Sequence, residues 1–304
     1  MKNRQTVSWG SLLSFCSSDP GRNGENKTVQ EEYGAKGYFG FSALSSGLPV
    51  SSIVEIADQE GFSAIELSHD QLENLSVMQR KRILEYFPVI VAGSFVSGSF
   101  ASGILSCPPE MLDTFAAELE NLFRKFAFLN IRYLSFDLPL NELFAKGDDR
   151  ERKNLTRLLK KLLPILTQLD QELLLPLRVP SSCKEMCSTE ASCFIRESMC
   201  ARIKLKLEVH PHELSRDSDP YFLASLCGFD CRCLTFHYNA DRGETLVKGH
   251  VQPWLEYLCR YGFRGPVFVS PFSGDGRFAM TEANGFAALL KEIRKNSAGS
   301  GVMQ

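Results

Sequence analysis

Residues 37–67 read GYFGFSALSSGLPVSSIVEIADQEGFSAIEL, and this stretch decides the fold. Its opening, 37–43, is a short run rich in apolar and aromatic residues, as a strand requires. Over 50–60 the apolar residues recur at spacings of three and four, which predicts a helix, and 64–67 returns to a short apolar run. Strand, helix and strand in about thirty residues make a βαβ unit with parallel strands. The first turn, Ser42-Ala43-Leu44-Ser45-Ser46-Gly47, lacks the glycine spacing that cradles a dinucleotide phosphate in an open doubly wound sheet. A closed barrel is the expectation that remains.

Downstream the same alternation recurs until eight units are complete. Strands are expected at 37–43, 64–67, 89–95, 133–138, 173–179, 203–209, 233–238 and 267–270. Helices are expected at 50–60, 71–86, 109–129, 150–169, 182–199, 220–226, 252–261 and 281–295. Eight right-handed βα crossovers close into a (β/α)8 TIM barrel with no free edge strand. The chain has 304 residues, 44% of them hydrophobic, ample for one such domain of about 250 residues. Residues 1–36 are polar and without period, so they are expected to form a flexible N-terminal extension to a barrel at 37–296, with a C-terminal tail at 297–304.

Composition excludes several classes of function. The 34 basic and 36 acidic residues nearly cancel, to a net charge of −2, which leaves no electrostatic footprint for nucleic acid or an anionic membrane. No apolar run reaches the roughly eighteen residues that a membrane span needs. Lys2 and Arg4 precede a short apolar stretch, but Ser8, Gly10, Ser11 and Ser14 interrupt it, so it does not read as an export signal. Of ten cysteines, Cys183, Cys187, Cys193 and Cys200 cluster without the close pairs of a zinc or iron–sulfur site. Free thiols in a reducing cytoplasm are the expectation.

In such a barrel the chemistry lies at the C-terminal ends of the strands, on side chains that point inward. Alternation identifies them. In Ile203-Lys204-Leu205-Lys206-Leu207-Glu208-Val209 the apolar residues share the outward face, so Lys204, Lys206, Glu208 and then His210 face the axis. The same parity turns Thr235 and His237 inward, and adds Glu66, Asp137, Ser270 and Arg178 from other strands. Converging carboxylates and imidazoles suit a divalent metal that polarises a carbonyl, and equally suit internal ion pairs such as Lys206 with Glu208 or Arg178 with Asp137. His212 extends the motif beyond Pro211, His69 and His250 read as surface loop residues, and Arg242 with Lys248 offers a phosphate or carboxylate clamp after strand seven.

Four segments resemble the xylose-isomerase-like barrels, the sugar phosphate isomerase/epimerase family, across about residues 38–296. They are IVEIADQEGFSAIEL at 53–67, LEVHPHE at 207–213, FHYNADRG at 236–243 and YGFRGPVFVS at 261–270. The resemblance implies a divalent ion, Mn2+, Mg2+ or Zn2+, held after strands five to eight by a glutamate, an acid, a histidine and a glutamate. Glu208 and His237 match the sixth and seventh positions, whereas strand five offers Arg178 and strand eight Ser270. Loss of two carboxylates weakens a site for a hard cation. Glu66 and His210 are candidate replacement ligands, and Arg178 a candidate fixed charge in the ion's place. The resemblance further implies Glu66 and Glu208 as acid/base groups, with His237 orienting the substrate.

Two functions follow. The first is a sugar or sugar-phosphate isomerase or epimerase of carbohydrate metabolism with a modified, metal-poor site. Glu66, Glu208 and His237 would be catalytic, while Asp137, Arg178, His210, Ser270 and Arg242 bind substrate, and Glu208, His237 and His210 are the metal candidates. The second is a non-catalytic relative that binds a carbohydrate or a partner after losing ligands. An abasic-site endonuclease of the same fold needs a richer histidine cluster than five histidines supply. Assembly as a homo-oligomer is compatible with either function.

Overall fold

The computed structural model describes residues 39–44, 49–59, 62–87, 89–93, 103–138, 149–178, 201–210, 231–239 and 265–272, with the single positions 140, 143, 252, 256, 263, 288 and 292. Eight parallel strands close a barrel in chain order. They are β1 Phe39–Ser42, β2 Ala64–Ser68, β3 Val89–Gly93, β4 Tyr133–Ser135, β5 Glu172–Arg178, β6 Ile203–Val209, β7 Cys231–Asn239 and β8 Val267–Phe272. Closure is made by β1 on β8, where Phe39 pairs with Val267 and Phe41 with Val269.

The helices among the described residues include α1 Val50–Gln59, α2 His69–Glu73, α3 Val77–Tyr86, α4 Leu112–Phe128 and α5 Asp149–Gln168. The single helix expected over 71–86 is thus two, and capping explains the break. Ser68 and Ser76 each accept from the backbone N–H of the glutamine three residues on, and Gln71 and Gln79 each reach back to the cap's N–H. Two reciprocal capping boxes start two helices. After α4 and α5 the chain turns through Asn130 and Asp170, both left-handed at φ 58 and 53, as short polar residues tolerate. The helices expected at 182–199 and 220–226, and the cysteine cluster, lie outside the described residues. So do those at 252–261 and 281–295, apart from helical positions 252, 256, 288 and 292. The extension at 1–36 and the tail at 297–304 also lie outside. Among the described residues no helix is long and apolar enough to cross a membrane.

Strand parity divides the core in two. Outward residues such as Ile65, Leu67, Leu134, Leu173, Leu175, Leu205, Leu207, Phe236 and Val269 are buried against the helices. Inside the barrel a smaller set, Ala64, Val89, Val91, Leu174, Cys233 and Phe268, fills the axis, with Tyr133 packed on it. On that interior the ion pair at the start of β5 closes the N-terminal end. Glu172, 3% exposed, accepts two hydrogen bonds of 2.6 Å from the Arg232 guanidinium, a bidentate pair. Arg232 reaches it because β7 carries a bulge there: Leu205 pairs with Cys231 and Lys206 with Cys233, leaving Arg232 between them.

Gly265, just before β8, has no room for a side chain, since a Cβ there would stand 2.0 Å from the backbone carbonyl oxygen of Arg232. Gly265→Ala therefore displaces the β7 bulge and is expected to cost about 3 kcal/mol or more in a denaturant titration.

Candidate functional site at the barrel mouth

Charged groups gather toward the C-terminal end of the barrel interior in two levels. In the deeper level Glu66 of β2 and Lys206 of β6 are both fully buried, and Lys206 Nζ donates to Glu66 Oε1 at 2.6 Å. Gly93 makes this space. A Cβ there would meet Glu66 Oε1 at 3.0 Å and the Leu44 methyls at 2.9 Å.

The upper level reaches solvent. Glu208 follows Lys206 by two residues on the same face of β6, and its Oε1 is 3.3 Å from Lys206 Nζ. His237 of β7 brings Nε2 to 3.8 Å from the same oxygen, an ion-pair distance, with the two side chains 19% and 24% exposed. His210 stacks on His237, ring centroids 4.9 Å apart and planes 16° from parallel.

Electrostatics set the protonation of this group. Burial pushes the Glu208 carboxyl up, but the Lys206 charge and then His237 outweigh it and hold it well below the usual carboxylate range. Burial likewise disfavours the Lys206 ammonium, and the carboxylates of Glu66 and Glu208 more than compensate, so it stays protonated above the usual lysine range. The two shifts bound a stability plateau. The lowered Glu208 stabilises the fold above about pH 4.3, its unfolded value, and that contribution is lost as pH falls through the folded value. The raised Lys206 contributes below about pH 10.4, and its contribution is lost as pH rises through its folded value. Melting temperature against pH should therefore fall on both sides of this window, with the acid limb shallower in Glu208→Gln.

Around the ion pair, the buried hydroxyls of Ser42, Ser135, Thr235 and Ser270 have no hydrogen-bond partner among the described residues, nor do Glu66 Oε2 and His237 Nε2. Five strands thus aim unsatisfied polar atoms into one interior, which is costly unless water or a ligand satisfies them. Of the residues expected from sequence, Glu66, Glu208, His210, His237 and Ser270 come together here; Ser270 pairs with His237 across β7 and β8. Arg178 pairs with Glu208 in register, at the exposed end of β5, and Asp137 is half-buried just past β4. Arg242, Lys248, His212 and His250 lie outside the described residues. His69 opens α2, 3.1 Å from Glu73 Oε1 and edge-on to Phe126, remote from this chemistry. Lys206 is the member that a list of candidate ligands passes over, although alternation along β6 places it on the inward face.

No family model matches this sequence, and no curated protein matches it. Solved structures do match. An L-ribulose 3-epimerase aligns over 88% of this chain and 100% of its own, at 13% identity and a TM-score of 0.65. D-Psicose 3-epimerase from Clostridium cellulolyticum H10, solved with D-tagatose, aligns over 84% and 99%, at 14% identity and a TM-score of 0.64. These structures share with this chain the closed eight-stranded (β/α)8 barrel. A third member of this fold, IOLI protein solved with a bound zinc atom, aligns over 88% and 100% at 11% identity and a TM-score of 0.56.

That zinc atom poses the question of whether the residues of this barrel fit a divalent ion. They do not fit. Lys206 already takes one oxygen each of Glu66 and Glu208. An ion must lie in the plane of each imidazole that binds it, and the stacked planes of His210 and His237 do not converge on one point. Among the described residues no group of three or more His, Cys, Asp or Glu is arranged to hold a metal.

Proposed function

We propose that this barrel is a sugar or sugar-phosphate isomerase or epimerase with a modified site, and that Glu208 and His237 move the proton. The observation that carries it is the Glu208–His237 pair, solvent-reaching and 3.8 Å apart, at the end of the barrel where α/β-barrel enzymes place their chemistry. The sugar epimerases among its structural neighbours support the same substrate class.

In this scheme His237 Nε2 takes the proton from the carbon beside the substrate carbonyl, and the ionised Glu208 stabilises the imidazolium that results. Return of that proton by the imidazolium to the neighbouring carbon on the same face, with the hydroxyl proton of the enediolate passed to the former carbonyl oxygen, is isomerisation; protonation of the original carbon from its opposite face, by water or a second acid, is epimerisation. Asp137, Arg178 and His210 hold substrate oxygens, with Ser270 and Arg242 as further candidates. Glu66, sealed against Lys206, acts as a buried counter-ion.

The test is incubation of the protein in D2O with ketoses, aldoses and their phosphates, followed by proton NMR. Deuterium is expected at the carbon next to the carbonyl, and none should appear with His237→Ala. A sugar that raises the melting temperature without any wash-in favours the second function, a non-catalytic carbohydrate-binding relative, to which Arg178 and Ser270 in place of acids point.

A further inference from the structure

Lys206 is fully buried and bridges Glu66 and Glu208. We infer that its ammonium is the resident cation of this centre, standing where a barrel of this fold with a bound metal would carry a divalent ion. The inference rests on Glu208 and His237 as the working pair, and adds that the pair operates without a metal.

Four observations carry it. Lys206 Nζ lies 2.6 Å from Glu66 Oε1 and 3.3 Å from Glu208 Oε1, so one positive charge serves two carboxylates. Both Lys206 and Glu66 are sealed from solvent, so the charge is fixed in place rather than borrowed from the surface. The register neighbours of the upper pair supply no compensating acid: Arg178 lies beside Glu208 and Ser270 beside His237. The stacked His210 and His237 rings do not aim at a common ion.

Two carboxylates and one ammonium leave the cluster one net negative charge, and with Lys206 holding one oxygen of each carboxylate the Nε2 of His237 is left to work as the proton acceptor. Lys206 does not reach solvent and so acts through Glu208, as a positioning residue. It keeps the carboxylate ionised and in place beside His237.

Calorimetric titration of untagged, chelator-treated full-length protein with Zn2+ and with Mn2+ tests this. The wild type is expected to show no saturable uptake, and Lys206→Arg, which keeps the charge, to behave the same. Lys206→Met leaves the Glu66 and Glu208 carboxylates without their cation and able to turn together toward His237 around an ion, and is expected to take up about one equivalent of Zn2+ and to melt higher with the metal than without it. That uptake should vanish in Lys206→Met with Glu208→Gln. One equivalent bound by the wild type and lost in Glu208→Gln overturns the inference, and this arm stands even if Lys206→Met does not fold. A folded Lys206→Met that binds no metal also overturns it, because the lysine would then not be what excludes the ion. Catalysis is read separately. Deuterium wash-in abolished by EDTA sinks the metal-free centre and spares the isomerase function, whereas the expected metal titrations with no wash-in on any sugar do the reverse.

Discussion

Lys206→Met is expected to lower the stability of the barrel by about 3 to 5 kcal/mol, the usual cost of removing one partner from a buried ion pair. Methionine fills nearly the same volume, so packing changes little, and the loss is electrostatic. Glu66 is left with no exposure and no cation, and Glu208 loses the charge that keeps it ionised. For a domain of this size the melting temperature should fall by roughly 10 °C. The variant should also regain stability as pH falls, since an unpaired buried carboxylate escapes its penalty by taking up a proton. Adding Glu66→Leu to Lys206→Met should recover a large part of the loss, because replacing both partners of a buried pair by apolar groups is far less costly than removing one. A double variant as unstable as the single one would show that Lys206 stabilises the barrel by packing alone.

His237→Ala and Glu208→Gln are each expected to lower turnover by about 10²- to 10⁴-fold, the range that a positioned acid or base supplies. The two should not be equivalent. Without His237 the proton has no acceptor, so kcat should fall at every pH. With Glu208→Gln the proton acceptor remains but loses its anionic neighbour at 3.8 Å, so kcat should fall with substrate binding little changed. The double variant should be little worse than His237→Ala, as residues that act in one unit are not additive. Equal turnover in wild type and His237→Ala on an identified sugar would remove the proton-transfer role altogether.

Much of this architecture is legible in the chain because barrel strands declare themselves twice. Outward positions must be apolar to meet helices, as in Leu173, Leu175, Leu205 and Leu207, so any polar residue between them faces the axis. That rule alone places Lys206, Glu208, Thr235 and His237 on the interior. The splitting of the second helix was also written locally, in the repeated Ser-x-x-Gln of Ser68 to Gln71 and Ser76 to Gln79, which a pattern of apolar spacing overlooks. The β7 bulge was not legible, because it depends on Arg232 reaching Glu172 across the floor of the barrel.

The candidate site divides along the same line. Which residues face inward was determined by the sequence, since parity is a property of one strand and its apolar face. Which of them pair was decided only by the tertiary structure. Arg178 stands beside Glu208 in register at the exposed end of β5, while Lys206, fully buried, bonds to Glu66, 140 residues away. The reason is physical: the strength of an ion pair depends on distance and burial, and both are set by barrel closure and by the space left at Gly93, neither of which any single strand encodes.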